Sequence, residues 1–175
     1  MARLVEAARA AGIPHVASAD DHLLTDPEIS TDPDWKTTFP PHCLRGTRGA
    51  ERISETRQED PLPLGLLPYP PGLVPPLIEG RREILLLKKN FDVFTNPNTE
   101  RLLERLDPDE VILFGVATDV CDDAAIRGLL ERGRSVLFVE DAARGLDEAR
   151  VAECTAAWRR SGVRFTTVDG VLAGL

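Results

Sequence analysis

No stretch of this sequence is apolar enough and long enough to span a bilayer as a helix. No cysteine pair has zinc-site spacing, because Cys43, Cys121 and Cys154 stand far apart and are odd in number. That speaks against both a C-x-x-C metal site and a disulfide framework, and each thiol is left as core filler or as chemistry. Lys and Arg form no block, and the net charge is −8. A nucleic-acid or anionic-membrane surface is therefore not expected. There is no internal repeat and no low-complexity tail. Small residues at Ala17-Ser18-Ala19 could imitate a signal cleavage site, but Glu6 and Arg9 interrupt any apolar run before them. A reducing cytoplasm is the simplest setting. What remains is ordinary for a globular chain: 175 residues, 42% hydrophobic and 29% charged. This is enough for one domain, 1–175, with a sizeable core.

Periodicity predicts a helix over 2–11, closed by Gly12, and then a strand from Ile13 to Ser18. Residues 20–60 read mostly as polar loop. Seven of the fourteen prolines fall in 61–80. The leucines between them predict an ordered loop on an apolar surface, or a partner contact. Glu83–Lys88 reads as a strand and 97–106 as a helix stopping before Asp107-Pro108. Val111–Ala117 is an unbroken apolar run and predicts a strand buried on both faces. A helix over 119–132, a strand over Ser135–Glu140, a helix over 147–160 and a strand over Arg164–Val168 complete the pattern. Strands alternating with helices predict an α/β fold with a mostly parallel sheet between helix layers. Ligands in such sheets bind beyond the carboxyl ends of the strands. That rule singles out Asp20–His22, Lys88–Phe94 and Ala117–Cys121.

Cys121 falls where a strand meets a helix, in Gly115-Val-Ala-Thr-Asp-Val-Cys121. The positive end of a helix favours the thiolate, and its N–H groups can hold an oxyanion. Asp122 and Asp123 oppose this by adding negative charge, so a cationic neighbour is needed, with Lys88 the candidate. The plain alternative is a small residue packing helix on sheet. Asp20 and His22 face the same side of an extended chain. With His42 they make a carboxylate and two imidazoles suited to zinc or another divalent transition metal. The plain alternative there is a hydrogen-bonded polar loop. His15 lies within a strand and reads as a packed or edge histidine.

Taken together these segments resemble the isochorismatase-like cysteine hydrolases, the superfamily that includes nicotinamidases. The resemblance is carried by Ala10-Ala-Gly-Ile-Pro14, Asp20-x-His22, Pro40-Pro-His-Cys-Leu-Arg-Gly-Thr47 with Gly49-Ala50-Glu51, Lys88-x-x-Phe91-x-x-Phe94 and Gly115–Cys121. It implies a three-layer α/β/α sandwich. It also implies a catalytic Cys121 and Lys88, a cis peptide at Val116-Ala117, and an oxyanion hole from the N–H groups of Ala117 and Cys121. By similarity to nicotinamidases, Asp20, His22 and His42 would hold the metal. The family's third catalytic group is an aspartate ending a first, central strand. The expectation is that this strand is missing here, through a mis-assigned start or truncation.

The resemblance further implies hydrolysis of a small amide, nicotinamide first, through a Cys121 thioester, by a homo-oligomer. Two alternatives stay open. One is a metal-independent relative acting on another amide or on a vinyl ether. The other is an inactive binding protein that lacks the aspartate.

Overall fold

Ala, Leu and Arg are strong helix formers, and they make α1, Ala2–Ala11. Gly12 ends it in the left-handed region, φ 68°, its N–H reaching the carbonyls of Ala8 and Arg9. The fold is seen in a computed structural model that describes residues 1–70 and 72–175. Pro71, one of the prolines of the 61–80 segment, lies outside the described residues. The chain divides into two compact units, Met1–Ile13 with Leu103–Leu175, and Pro14–Leu102. Among the described residues each unit has its own three-stranded parallel sheet.

In the Pro14–Leu102 unit, β1 (His15–Asp20) and β2 (Leu62–Leu64) flank β3 (Glu83–Lys88). The register sets His15 opposite Glu83 and Asp20 opposite Lys88. The Asp20 and Lys88 side chains thus leave the carboxyl ends of neighbouring strands. The first strand extends two residues beyond the predicted Ser18, as far as Asp20.

The proline-rich segment holds more regular structure than its composition predicts. It supplies β2 and a short helix α2, Val74–Ile78, which bury Leu64, Val74 and Ile78. Pro63 is tolerated because β2 is an edge strand, and α2 has proline in its first turn, where no N–H is needed. Two buried asparagines brace the segment. Asn96 Nδ2 donates to the carbonyls of Leu64, Gly65 and Leu87 at 3.0, 3.2 and 2.7 Å. Asn98 Nδ2 donates to Gly65 and Leu67, and its Oδ1 accepts the Tyr69 N–H, each at 3.0 Å. Helix α3, Thr99–Leu106, follows.

In the other unit, β5 (Ser135–Arg144) lies between β4 (Glu110–Val116) and β6 (Arg164–Thr166). The helices are α4 (Asp123–Glu131), α5 (Glu148–Arg160) and α6 (Val168–Gly174). Leu4, Val139, Ala142, Val168 and Val171 form its core, with Ile112, Phe114 and Leu137 against them. Phe138 meets Trp158 and Phe165 edge-on, at ring distances of 5.0 and 5.6 Å. Helix α6 was absent from the sequence reading; its cue is Thr167, whose side chain caps it by accepting the Gly170 N–H. The expectation that β4 is buried on both faces is corrected. Glu110–Gly115 are partly exposed and Val116 is 62% exposed. The apolar run predicts cover on both faces, whereas among the described strands β4 pairs only with β5 and its side chains keep partial exposure. No helix among the described residues is long and apolar enough to cross a membrane.

Candidate functional site

Chemistry-bearing residues gather in each unit separately. In the Pro14–Leu102 unit, pairing continues past β1: the Asp21 N–H donates to the Lys88 carbonyl at 2.9 Å. The chain from 43 to 45 then lies along His22. The His22 N–H donates to Cys43 O at 3.2 Å, and the Arg45 N–H to His22 O at 2.8 Å. This short bridge brings His42 to His22, the ring centres 4.7 Å apart and edge-on.

Asp20, His22 and His42 each offer a ligand atom, and these atoms all lie within 4.8 Å of one another. His22 is fully buried, yet neither ring nitrogen has a hydrogen-bond partner. Its Nε2 is 3.8 Å from Asp20 Oδ1 and 3.6 Å from Glu28 Oε1, and its Nδ1 is 3.5 Å from Asp26 Oδ2. His42 Nδ1 lies 2.8 Å from the Pro40 carbonyl. Donation there fixes the tautomer that leaves Nε2 as a lone-pair donor, 3.7 Å from the same Glu28 oxygen.

Two orphaned nitrogens in a closed site cost free energy unless something binds them. A tetrahedral ion with bonds of about 2.0–2.1 Å separates its ligand atoms by roughly 3.4 Å. His22 Nε2 and Asp20 Oδ1 are 3.8 Å apart, not far from that, and the three ligand atoms lie within 4.8 Å of one another, so this carboxylate and two imidazoles fit a divalent transition metal. Glu28 is the member that sequence reasoning missed. It is 5% exposed. Burial pushes its carboxyl above the usual range, against the pull of His22. Its second oxygen accepts the Phe91 N–H at 3.1 Å. Nothing in an acidic loop marks one glutamate. What places it is the pairing of Ile29 with Phe39, where the Phe39 N–H donates to the Glu28 carbonyl.

Lys88 is 2% exposed, and its ammonium donates to Asp20 Oδ1. Cys43, beside His42, contributes its carbonyl to the fold of the site. Burial, then the charge of Asp20, push its thiol up, so it is not poised as a nucleophile. His15 is at the start of β1, its Nδ1 3.8 Å from Glu83 Oε2, away from the strand ends that carry the cluster.

In the other unit, β4 ends at Val116 and the Val116–Ala117 peptide bond is cis. Residues Thr118–Asp122 form one π-helical turn rather than the predicted start of an α-helix. The Ala117 carbonyl accepts the N–H groups of both Val120 and Asp122 at 3.0 Å. Cys121 is partly exposed within this turn. Single π turns often occur at functional sites. Of the two acids expected to oppose the thiolate, Asp122 is buried beside Gly115, and Asp123 is compensated within this unit, as is the nearby Asp119. Asp123 is bonded by Arg127 Nε and Trp158 Nε1, both at 2.8 Å. Asp119 is paired with Arg150 at 3.0 Å. The Asp123–Arg127 pair is legible as an i, i+4 spacing; Arg150 is too distant in sequence to be foreseen.

Residues 65–169 match the isochorismatase domain model. The chain belongs to the isochorismatase family. This family member is 34% identical over 109 residues to isochorismatase domain-containing protein 2 of Danio rerio, covering 61% of this chain and 55% of that one. The chain thus spans about half the length of that curated relative. Among solved structures it resembles N-carbamoylsarcosine amidase from Thermoplasma acidophilum, with a TM-score of 0.71 and 23% identity over 96% of this chain and 80% of that one. It also resembles the pyrazinamidase of Pyrococcus horikoshii in complex with zinc, with a TM-score of 0.69 and 18% identity over 94% and 80%. Nicotinamidase/pyrazinamidase of Bacillus subtilis is similar at a TM-score of 0.69 and 19% identity, over 94% and 81%. These likenesses establish the α/β fold of the isochorismatase-like hydrolases.

Proposed function

We propose that this isochorismatase-family chain, acting as one domain over 1–175, hydrolyses a small carboxamide, with nicotinamide the first candidate. The observation that carries the reading is Cys121, a partly exposed thiol in the π turn that follows β4. The Cys121 thiol gives up its proton and its sulfur attacks the amide carbon; the C–N bond breaks as that proton passes to the departing nitrogen, so ammonia leaves and a thioester remains. Water then attacks that carbonyl, releasing the acid and restoring the thiol. The N–H groups of Ala117 and Cys121 are assigned to the oxyanion, and Lys88 is the catalytic lysine of this reading.

Asp20, His22 and His42 would hold a divalent metal, with Glu28 beside them. The orphaned nitrogens of His22 and the zinc-bound relative support this assignment. When bound, the ion would supply a Lewis-acid contact for a ring nitrogen of the substrate. The same reading makes the protein cytoplasmic and homo-oligomeric.

The test is release of ammonia from a panel of small amides. Nicotinamide turnover that disappears in Cys121→Ala supports the reading. Turnover retained in Cys121→Ala, or ligand binding without any turnover, rejects the covalent mechanism.

A further inference from the structure

We propose that Asp119 is the positioning residue of the Cys121 turn, clamped by the start of α5. The inference rests on the assignment of Cys121 as nucleophile. The Asp119 side chain is wholly buried, two residues before Cys121. Its Oδ1 accepts the Leu146 N–H at 2.7 Å, and its Oδ2 accepts the Asp147 N–H at 3.2 Å. Arg150 Nη2 lies 3.0 Å from the same Oδ2. These donors come from the loop between β5 and α5 and from the first turn of α5. Asp147 is also the N-cap of that helix, its side chain accepting the Arg150 N–H at 2.8 Å.

The space for the carboxylate is built by glycine. A Cβ at Gly145 would lie 2.8 Å from Asp119 Oδ1 and 2.1 Å from Val151 Cγ2. A side chain there would displace the carboxylate or the helix. A glycine, two backbone donors and an arginine thus converge on one buried charge.

A π turn is rare and occurs mostly as a single turn inside an α-helix, with wider hydrogen-bonded rings than its neighbours. In this one, both the Val120 and Asp122 N–H groups share the single Ala117 carbonyl. Its geometry therefore depends on support from outside. The support attaches at the residue whose backbone leads directly to Val120 and Cys121. A nucleophile displaced by a fraction of an ångström to 1 Å loses rate without losing binding. Asp119 acts through Cys121 and is not placed against substrate.

The experiment uses the full chain and compares Asp119→Ala, Asp119→Asn and Gly145→Ala with wild type. Three readouts are taken: peptide-resolved iodoacetamide labelling of Cys121 relative to Cys43, kcat and KM with nicotinamide as probe, and thermal melting. In Asp119→Ala the labelling rate of Cys121 should change while that of Cys43, whose thiol answers to Asp20, Lys88 and Glu28, does not. Its kcat should fall on the order of 100-fold with KM little altered. Asp119→Asn keeps one acceptor oxygen and should recover part of the loss. Gly145→Ala should reproduce the Asp119→Ala pattern from the other side of the contact.

A lower melting temperature with Cys121 labelling unchanged, or changed in parallel with Cys43, would overturn the proposal and leave Asp119 as a structural anchor alone. If Asp119→Ala does not fold, the other two variants make the same comparison. If wild type releases no ammonia from nicotinamide, the amidase reading fails, and the labelling comparison still decides the positioning claim.

Discussion

At the scale of single residues, His22 is the side chain whose environment makes the sharpest demand. It is buried without a hydrogen bond on either nitrogen. An unsatisfied buried polar group costs about 1–3 kcal/mol. His22→Leu removes these nitrogens but also the pull that His22 exerts on the buried Glu28 carboxyl, so the variant is judged by its response to zinc rather than by its metal-free melting temperature. Added zinc should raise the wild-type melting temperature and leave the variant unmoved, because only the wild type gains by binding. Scanning calorimetry of both proteins in chelator and in zinc checks this; equal shifts in the two would remove His22 from the metal site. The thiols give a second prediction. Burial, then the charge of Asp123, push Cys154 up to about 11, and burial raises Cys43 as well. A raised thiol pKa means less thiolate at a given pH. Near pH 8 iodoacetamide should label Cys121 first, and Cys154 should react readily only as the pH approaches its own raised value. Peptide mapping of a labelling time course reads the order directly.

At the scale of elements, most strands were legible because alternation and β-branched content are local. Glu83–Lys88 was placed at its observed ends, and the Gly12, Gly133 and Gly162 stops follow from left-handed conformations that glycine alone adopts freely. The failures have tertiary causes. β2 hides among prolines because the stretch from Leu64 to Tyr69 is held by Asn96 and Asn98, some thirty residues away, and α2 hides there because its order rests on burying Val74 and Ile78. Asn96→Ala would strip the donor from the carbonyls of Leu64, Gly65 and Leu87. A loss of roughly 1–3 kcal/mol is expected, with faster proteolysis confined to 61–80. Limited proteolysis followed by mass mapping tests it, and uniform protection across that segment would contradict it. Gly115 shows a similar limit: its φ of 150° and the 3.3 Å approach of Asp122 Oδ1 to a would-be Cβ are not visible in sequence.

At the scale of the whole molecule, the family and its α/β class were readable from ordered motifs, and the parallel strands place those motifs at carboxyl ends. The Asp20-x-His22 pair and His42 came together as the spacing and the resemblance implied. Glu28, Asp26 and Arg150 did not, because loop pairing and helix packing put them there rather than any local pattern. The apolar run of β4 predicts burial on both faces, yet hydrophobicity alone does not report how much of a strand its neighbours cover. The central claim is that Cys121 forms an acyl intermediate with a small amide. Its most direct measurement is intact-protein mass spectrometry after rapid acid quench during nicotinamide turnover, with peptide mapping of any adduct. The account predicts a nicotinoyl mass on the Cys121 peptide of wild type and none in Cys121→Ala. Turnover with no adduct at Cys121, or an adduct on another residue, would contradict it.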